Sequence, residues 1–89
     1  MTISVFEEYQ INYKCNYSYY DENDEFQRIE TKEKITIDGF KFIETIKNLI
    51  GNYQCYEIEF KQNSIYIAHF DADNGKDTSY YFNYIKKRK

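Results

Sequence analysis

Between residues 11 and 19 the chain alternates strictly: Ile11, Tyr13, Cys15, Tyr17 and Tyr19 are apolar or aromatic, and Asn12, Lys14, Asn16 and Ser18 between them are polar. Successive side chains of a strand point to opposite faces, so this period of two demands a strand with one apolar face. The pattern stops at Asp21-Glu22-Asn23-Asp24-Glu25 and resumes from Phe26 to Ile37 through Ile29, Thr31, Glu33, Ile35 and Ile37, which predicts a hairpin with an acidic tip. Val5 and Phe6 are adjacent and fit neither period. Residues 2–9 therefore read equally as an extension of the first strand or as a separate one.

The period then changes. Phe42, Ile43, Ile46, Leu49 and Ile50 form one stripe of an amphipathic helix over residues 39–50, with Asp38 placed to cap its free amides and Gly51 placed as a left-handed terminator. Alternation returns at Tyr56, Ile58 and Phe60, and a turn at Gln62-Asn63 leads into the more apolar run Ile65, Tyr66, Ile67 and Phe70. Asn74-Gly75 marks a tight turn with positive φ before a last strand over 78–85. The expected fold is α+β in the order ββαβββ: an antiparallel sheet of about five strands with one amphipathic helix on one face. The chain, residues 1–89, reads as a single domain.

Length limits what such a domain can bury. A chain of 89 residues removes only about 60 to 65% of its unfolded surface from water, so its stability is modest. At 42% hydrophobic and 20% aromatic it still carries more apolar material than a disordered chain. Met1 to Glu8 has no basic lead, and no run of apolar residues reaches membrane-spanning length, so the expectation is a soluble, cytoplasmic protein, monomeric or a small homo-oligomer.

Chemistry finds little to work with. His69 lies between Ala68 and Phe70 with no nucleophile nearby in sequence, which reads as a structural histidine. Asp71, Asp73 and Asp77 around Gly75 resemble a calcium loop, but Lys76 and Phe82 stand where the loop needs its glycine and bidentate glutamate. Cys15 and Cys55 lie far apart with no further metal ligand near either, so reduced thiols are expected in a cytosolic context. No phosphate-binding, dinucleotide, zinc-protease or serine-hydrolase string occurs. The chain is expected to be no enzyme and to hold no cofactor or metal.

Charge and tyrosine point instead to binding. Lys86-Lys87-Arg88-Lys89 holds four of the 12 basic residues, so residues 1–85 carry 8 positive and 15 negative charges, a net of 8 − 15 = −7. An acidic body repels nucleic acid phosphates and favours a protein partner with a basic groove. Of the 11 tyrosines, Tyr17, Tyr19, Tyr53, Tyr80 and Tyr84 are candidates for a sheet face left open by the short helix, with Tyr20 beside them. Asp21, Glu22, Asp24 and Glu25, joined by Glu30, Glu33, Glu57 and Glu59, would project from one region and imitate the charge spacing of a nucleic acid backbone. The partner-binding set read from the sequence is thus Asp21, Glu22, Asp24, Glu25, Tyr17, Tyr19, Tyr20, Glu57, Glu59, Tyr80 and Tyr84.

Small size, acidity, abundant Asn, Lys, Ile and Tyr and the lack of a catalytic motif together make the chain resemble small phage- or virus-encoded inhibitors of host defence, including anti-CRISPR proteins. That resemblance implies stoichiometric inhibition: the protein would sit on a CRISPR effector or related nuclease and block nucleic acid entry, activation or assembly. Two other readings stay open. One is an immunity protein neutralising a basic toxin. The other is a single-strand nucleic acid binder using sheet tyrosines as stacking platforms and Lys86 to Lys89 for phosphate.

Overall fold

A computed structural model describes residues 3–87. Five strands and one helix follow in the expected order: β1 (Glu8–Tyr20), β2 (Phe26–Asp38), α1 (Gly39–Ile50), β3 (Cys55–Lys61), β4 (Ser64–Asp71) and β5 (Lys76–Lys86). All neighbours pair antiparallel in one sheet of order β2-β1-β5-β4-β3. The fold is therefore a β1–β2 hairpin and a β3–β4–β5 meander, zipped together where β5 lies against β1 from Tyr9↔Lys86 to Ser18↔Asp77.

Among the described residues ahead of β1, 3–7, there is no separate strand. Ser4 to Glu7 make a turn that abuts the start of the helix: the Gly39 amide donates to the Glu7 carbonyl at 2.7 Å, and the Ser4 amide donates to the Tyr9 hydroxyl at 2.8 Å. Asp38 caps α1 as its position implies, its carboxylate accepting from the Lys41 amide at 2.8 Å. Gly51 departs from expectation. Its φ of −73° is right-handed, and the helix ends by letting the Gly51 amide donate to the Lys47 carbonyl while Asn52 opens the next turn, so the left-handed freedom of glycine is unused there. Gly75 does use it, at φ 65° in the β4–β5 turn.

The core lies between α1 and the sheet. Phe42 and Ile46 descend from the helix onto Tyr9, Ile11, Ile65, Ile67, Phe82 and Tyr84, all buried. The Phe42 ring meets three others, with centroids 6.1 Å from Tyr9, 6.0 Å from Phe82 and 5.3 Å from Tyr84. His69, buried on β4, holds the far end of the helix, its Nε2 2.8 Å from the Leu49 carbonyl. Cys15 and Cys55 are free thiols on β1 and β3. Two strands separate them, roughly 14 Å at the usual strand spacing and too far for a disulfide. Arg88 and Lys89 of the basic tail lie outside the described residues. Lys86 and Lys87 pair with Glu7 and Glu8 at 3.3 and 3.6 Å.

Candidate functional site

Residues directly opposite one another in an antiparallel sheet share a face, so the register assigns every side chain. The helix side carries the rows Ile35-Ile11-Tyr84, Glu33-Tyr13-Phe82-Ile65-Phe60, Thr31-Cys15-Tyr80-Ile67-Ile58 and Ile29-Tyr17-Thr78-His69. The other side, with no helix on it, carries Lys34-Asn12-Asn83-Ser64-Lys61, Lys32-Lys14-Tyr81-Tyr66-Glu59 and Glu30-Asn16-Ser79-Ala68.

At its tip the first hairpin outruns the rest of the sheet. Beyond Ser18↔Asp77 strand β1 has no partner but β2, so Tyr19, Tyr20, Phe26 and Gln27 belong to a free two-stranded end. Aromatic pairs dress both of its faces. Tyr17 and Tyr19 stack on the helix side at 5.4 Å between centroids, with Lys76 Nζ 5.3 Å from the Tyr17 ring, while Tyr20 and Phe26 meet edge-to-face at 5.5 Å on the other. Tyr20 and Phe26 are 68% and 59% exposed, and such large rings left in water bring much apolar area to any partner at little rotamer cost.

The acidic turn divides into two roles. Asp21 is structural: one carboxylate oxygen accepts from the Asn23 and Glu25 amides at 2.9 and 3.0 Å, the other from the Gln27 side chain at 2.9 Å. These donors, the Glu25 amide foremost and then Gln27, hold its carboxyl below the ordinary aspartate value. Glu22, Asp24 and Glu25 are exposed and make no ion pair among the described residues, and Asp24 takes a left-handed backbone at φ 61° that its short polar side chain tolerates. A depressed carboxyl supports the turn above the normal aspartate range and loses that support as pH falls through the folded value. Followed by NMR, Asp21 is expected to titrate with a midpoint below 3.8, and a midpoint at or above it would contradict the three accepted hydrogen bonds.

Several residues read from the sequence lie elsewhere. Tyr84 is 4% exposed in the core, because its register with Ile11 turns it under Phe42. Tyr80 shares that face and packs between Tyr13 and His69, with ring centroids at 6.5 and 5.3 Å, so it is a wall of the core rather than an open contact. Tyr53 is exposed but sits in the loop between α1 and β3, off the sheet. Glu57 and Glu59 lie on β3, the edge opposite β2, about 19 Å away at four strand spacings. Glu30 and Glu33 point to opposite faces, and Glu30 is already paired with Lys14 at 3.2 Å. The single acidic region expected from the sequence is thus only the hairpin tip, where Tyr17, Tyr19, Tyr20, Glu22, Asp24 and Glu25 come together and Asp21 holds the turn.

Sequence reasoning missed Phe26 at the tip and the ring pair on the open face, Tyr66 and Tyr81, whose centroids are 4.8 Å apart. The signal was present in the Tyr80-Tyr81 doublet: Phe82 and Tyr84 are the apolar positions, so Tyr81 must face the other way. Burial foremost raises the phenol pKa of Tyr13, Tyr56, Tyr80, Tyr81 and Tyr84, that of Tyr56 to about 12 with help from its hydrogen bond to Asp77. The folded chain therefore keeps protons that the unfolded chain loses near pH ~10, and stability falls as pH rises above that value. Tyrosinate absorbance is expected to develop later in the folded protein than in urea, with the denaturation midpoint dropping in step. Coincident titration curves in the two states would contradict the burial.

Among the described residues no group of three or more His, Cys, Asp or Glu side chains is placed to hold a metal ion, and no helix is long and apolar enough to cross a membrane. No protein family, curated protein or solved structure matches this chain.

Proposed function

We propose that the protein is a non-enzymatic inhibitor that inserts the end of its β1–β2 hairpin into the basic groove of a nucleic-acid-handling protein, a CRISPR effector being the class its resemblance implies. The observation that carries this reading is the free two-stranded end, with half-buried rings on one face, exposed rings on the other, and three carboxylates at its apex that make no ion pair among the described residues. A groove shaped for nucleic acid expects negative charge, which Glu22, Asp24 and Glu25 supply, and its walls meet Tyr17 and Tyr19 on one side and Tyr20 and Phe26 on the other. Charge directs the encounter, and the buried rings supply the affinity. On this reading the protein acts in the cytoplasm as a monomer or small oligomer.

The experiment is a binding titration against purified CRISPR effectors and basic nuclease toxins, using the native chain and the triple variant Glu22→Gln, Asp24→Asn, Glu25→Gln. Asn keeps the left-handed position and Asp21 is untouched, so the turn survives. One effector is expected to bind with equal stoichiometry, and the variant to bind it about tenfold or more weakly, as loss of rim and buried charge contacts does elsewhere. Unchanged affinity in the variant would remove the tip from the interface, and binding to a toxin alone would turn the reading to an immunity protein.

A further inference from the structure

The face of the sheet away from the helix is charged differently from the molecule as a whole. Over the rows of Asn12 to Ser18, β1 and β2 place Lys14, Arg28, Lys32 and Lys34 on it against one carboxylate, Glu30, which Lys14 already pairs. That is a local net of 4 − 1 = +3 in a chain whose net charge is −3. Lys14 Nζ stands 5.2 Å from the centroid of Tyr81, which packs on Tyr66. Asp77 of β5 lies on the same face opposite Ser18, where its carboxylate accepts from the Tyr56 hydroxyl at 3.0 Å, and counting it brings the local net to 4 − 2 = +2. From Lys14 the hairpin tip lies six residues along the strand, roughly 20 Å, and Glu59 is four strands across from Lys32, both beyond the screening length of about 10 Å at ordinary salt, while Arg28, three residues from Glu25, stands roughly 10 Å from the tip.

Beside this strip is a polar cup of about 190 Å³, lined by Asn16, Ser18, Arg28, Ser79, Phe26 and Tyr81 together with Asp77. Asn16 is only 8% exposed, and its Oδ1 has no hydrogen-bond partner. A buried amide oxygen left without a donor costs about 1–3 kcal/mol, and the terminal torsion of asparagine is soft enough to turn either end of the amide toward the cup. The cup thus offers an amide, two hydroxyls and the Asp77 carboxylate, with the Tyr81 ring at one end, the Phe26 ring at the other and cations along one side. A flat heterocycle bearing both donors and acceptors, joined to an anion, satisfies all of these at once.

We infer that the open face binds single-stranded nucleic acid, one base entering the cup and stacking on Tyr81, and the neighbouring phosphates resting on Arg28, Lys14 and Lys32. The base edge meets Asn16, Ser18 and Ser79, and Tyr66 extends the stacking surface for the next base. Duplex is excluded because its bases are stacked on one another and closed to the rings. This site shares Phe26 with the hairpin tip but uses none of its carboxylates Glu22, Asp24 and Glu25, and it does not rest on the inhibitor reading.

The test is fluorescence anisotropy of a labelled mixed-sequence DNA oligonucleotide, single-stranded and as duplex, over a salt series. The single strand is expected to bind and the duplex not, with log affinity falling against log salt by about 0.7 for each phosphate neutralised. Tyr81→Ala is expected to weaken binding about 5- to 100-fold, the effect of losing one stacked base, and Tyr81→Phe to retain it. Lys32→Gln, exposed and harmless to the fold, is expected to reduce the salt slope by about 0.7. Absence of single-strand binding at low salt, equal binding of duplex, or full affinity in both Tyr81→Ala and Lys32→Gln would overturn the inference. The tip variant Glu22→Gln, Asp24→Asn, Glu25→Gln binds oligonucleotide at least as well as the native chain, so failure of one site is distinguishable from failure of the other.

Discussion

Replacing Phe42 by Ala is expected to remove about 3–5 kcal/mol of folding stability, the range found for a buried aromatic ring deleted from a core that cannot collapse around the gap. Among the described residues no other ring meets so many of the rings that join the two halves of the sheet. Phe42 is buried from α1 against Tyr9 of β1 and Phe82 and Tyr84 of β5, the strands whose pairing zips hairpin to meander. A domain of this size has roughly 5–10 kcal/mol in total, so the variant is left near the edge of folding and its melting temperature is expected to fall by at least about 12 °C. Urea denaturation followed by circular dichroism measures it. A loss below about 1 kcal/mol would mean that the helix does not hold the sheet together in the way its ring contacts indicate.

Gly39→Ala is expected to destabilise by about 2–4 kcal/mol, against the usual sign for this exchange in a helix, where alanine gains about 1 kcal/mol. The added Cβ would collide with the Ser4 carbonyl group and come within 3.2 Å of the Glu7 carbonyl oxygen, all main-chain atoms with no rotamer to escape into. Relief requires the turn of residues 4–7 to move away, which breaks the 2.7 Å hydrogen bond from the Gly39 amide to Glu7 and disturbs that from the Ser4 amide to Tyr9. The same denaturation experiment decides the matter by sign: a stabilised variant would show that the turn does not pack on the helix start.

These two sites also show what the sequence could and could not reveal. The order ββαβββ was legible because each element imposes its own period, and because the Asp38 cap and the Asn74-Gly75 turn mark boundaries locally. The pairing of β1 with β5 was not, since strands so far apart in sequence find each other through burial in three dimensions rather than through any local turn. Everything that depended on that pairing went astray with it: Glu57 and Glu59 landed on the far edge, and Tyr84 landed in the core. Alternation says which residues share a face but not which face the helix takes, so Tyr80 was chosen where Tyr81 is the one left open. The tip residues stay together, because Tyr17, Tyr19 and Tyr20 adjoin the acidic turn in sequence and adjacency survives folding. Only the internal role of Asp21 was hidden, although an aspartate opening a tight turn commonly accepts from the amides that follow it.

Hairpin insertion is tested most directly by competition on an effector identified in the binding titration. Labelled double-stranded substrate is bound to the effector, the protein is added in increasing amount, and the released substrate is measured. Release one for one by the native chain, with the triple tip variant needing about tenfold or more to achieve the same, is what a hairpin occupying the nucleic acid groove produces. An effector that holds substrate and protein together, or equal release by native chain and variant, would contradict it.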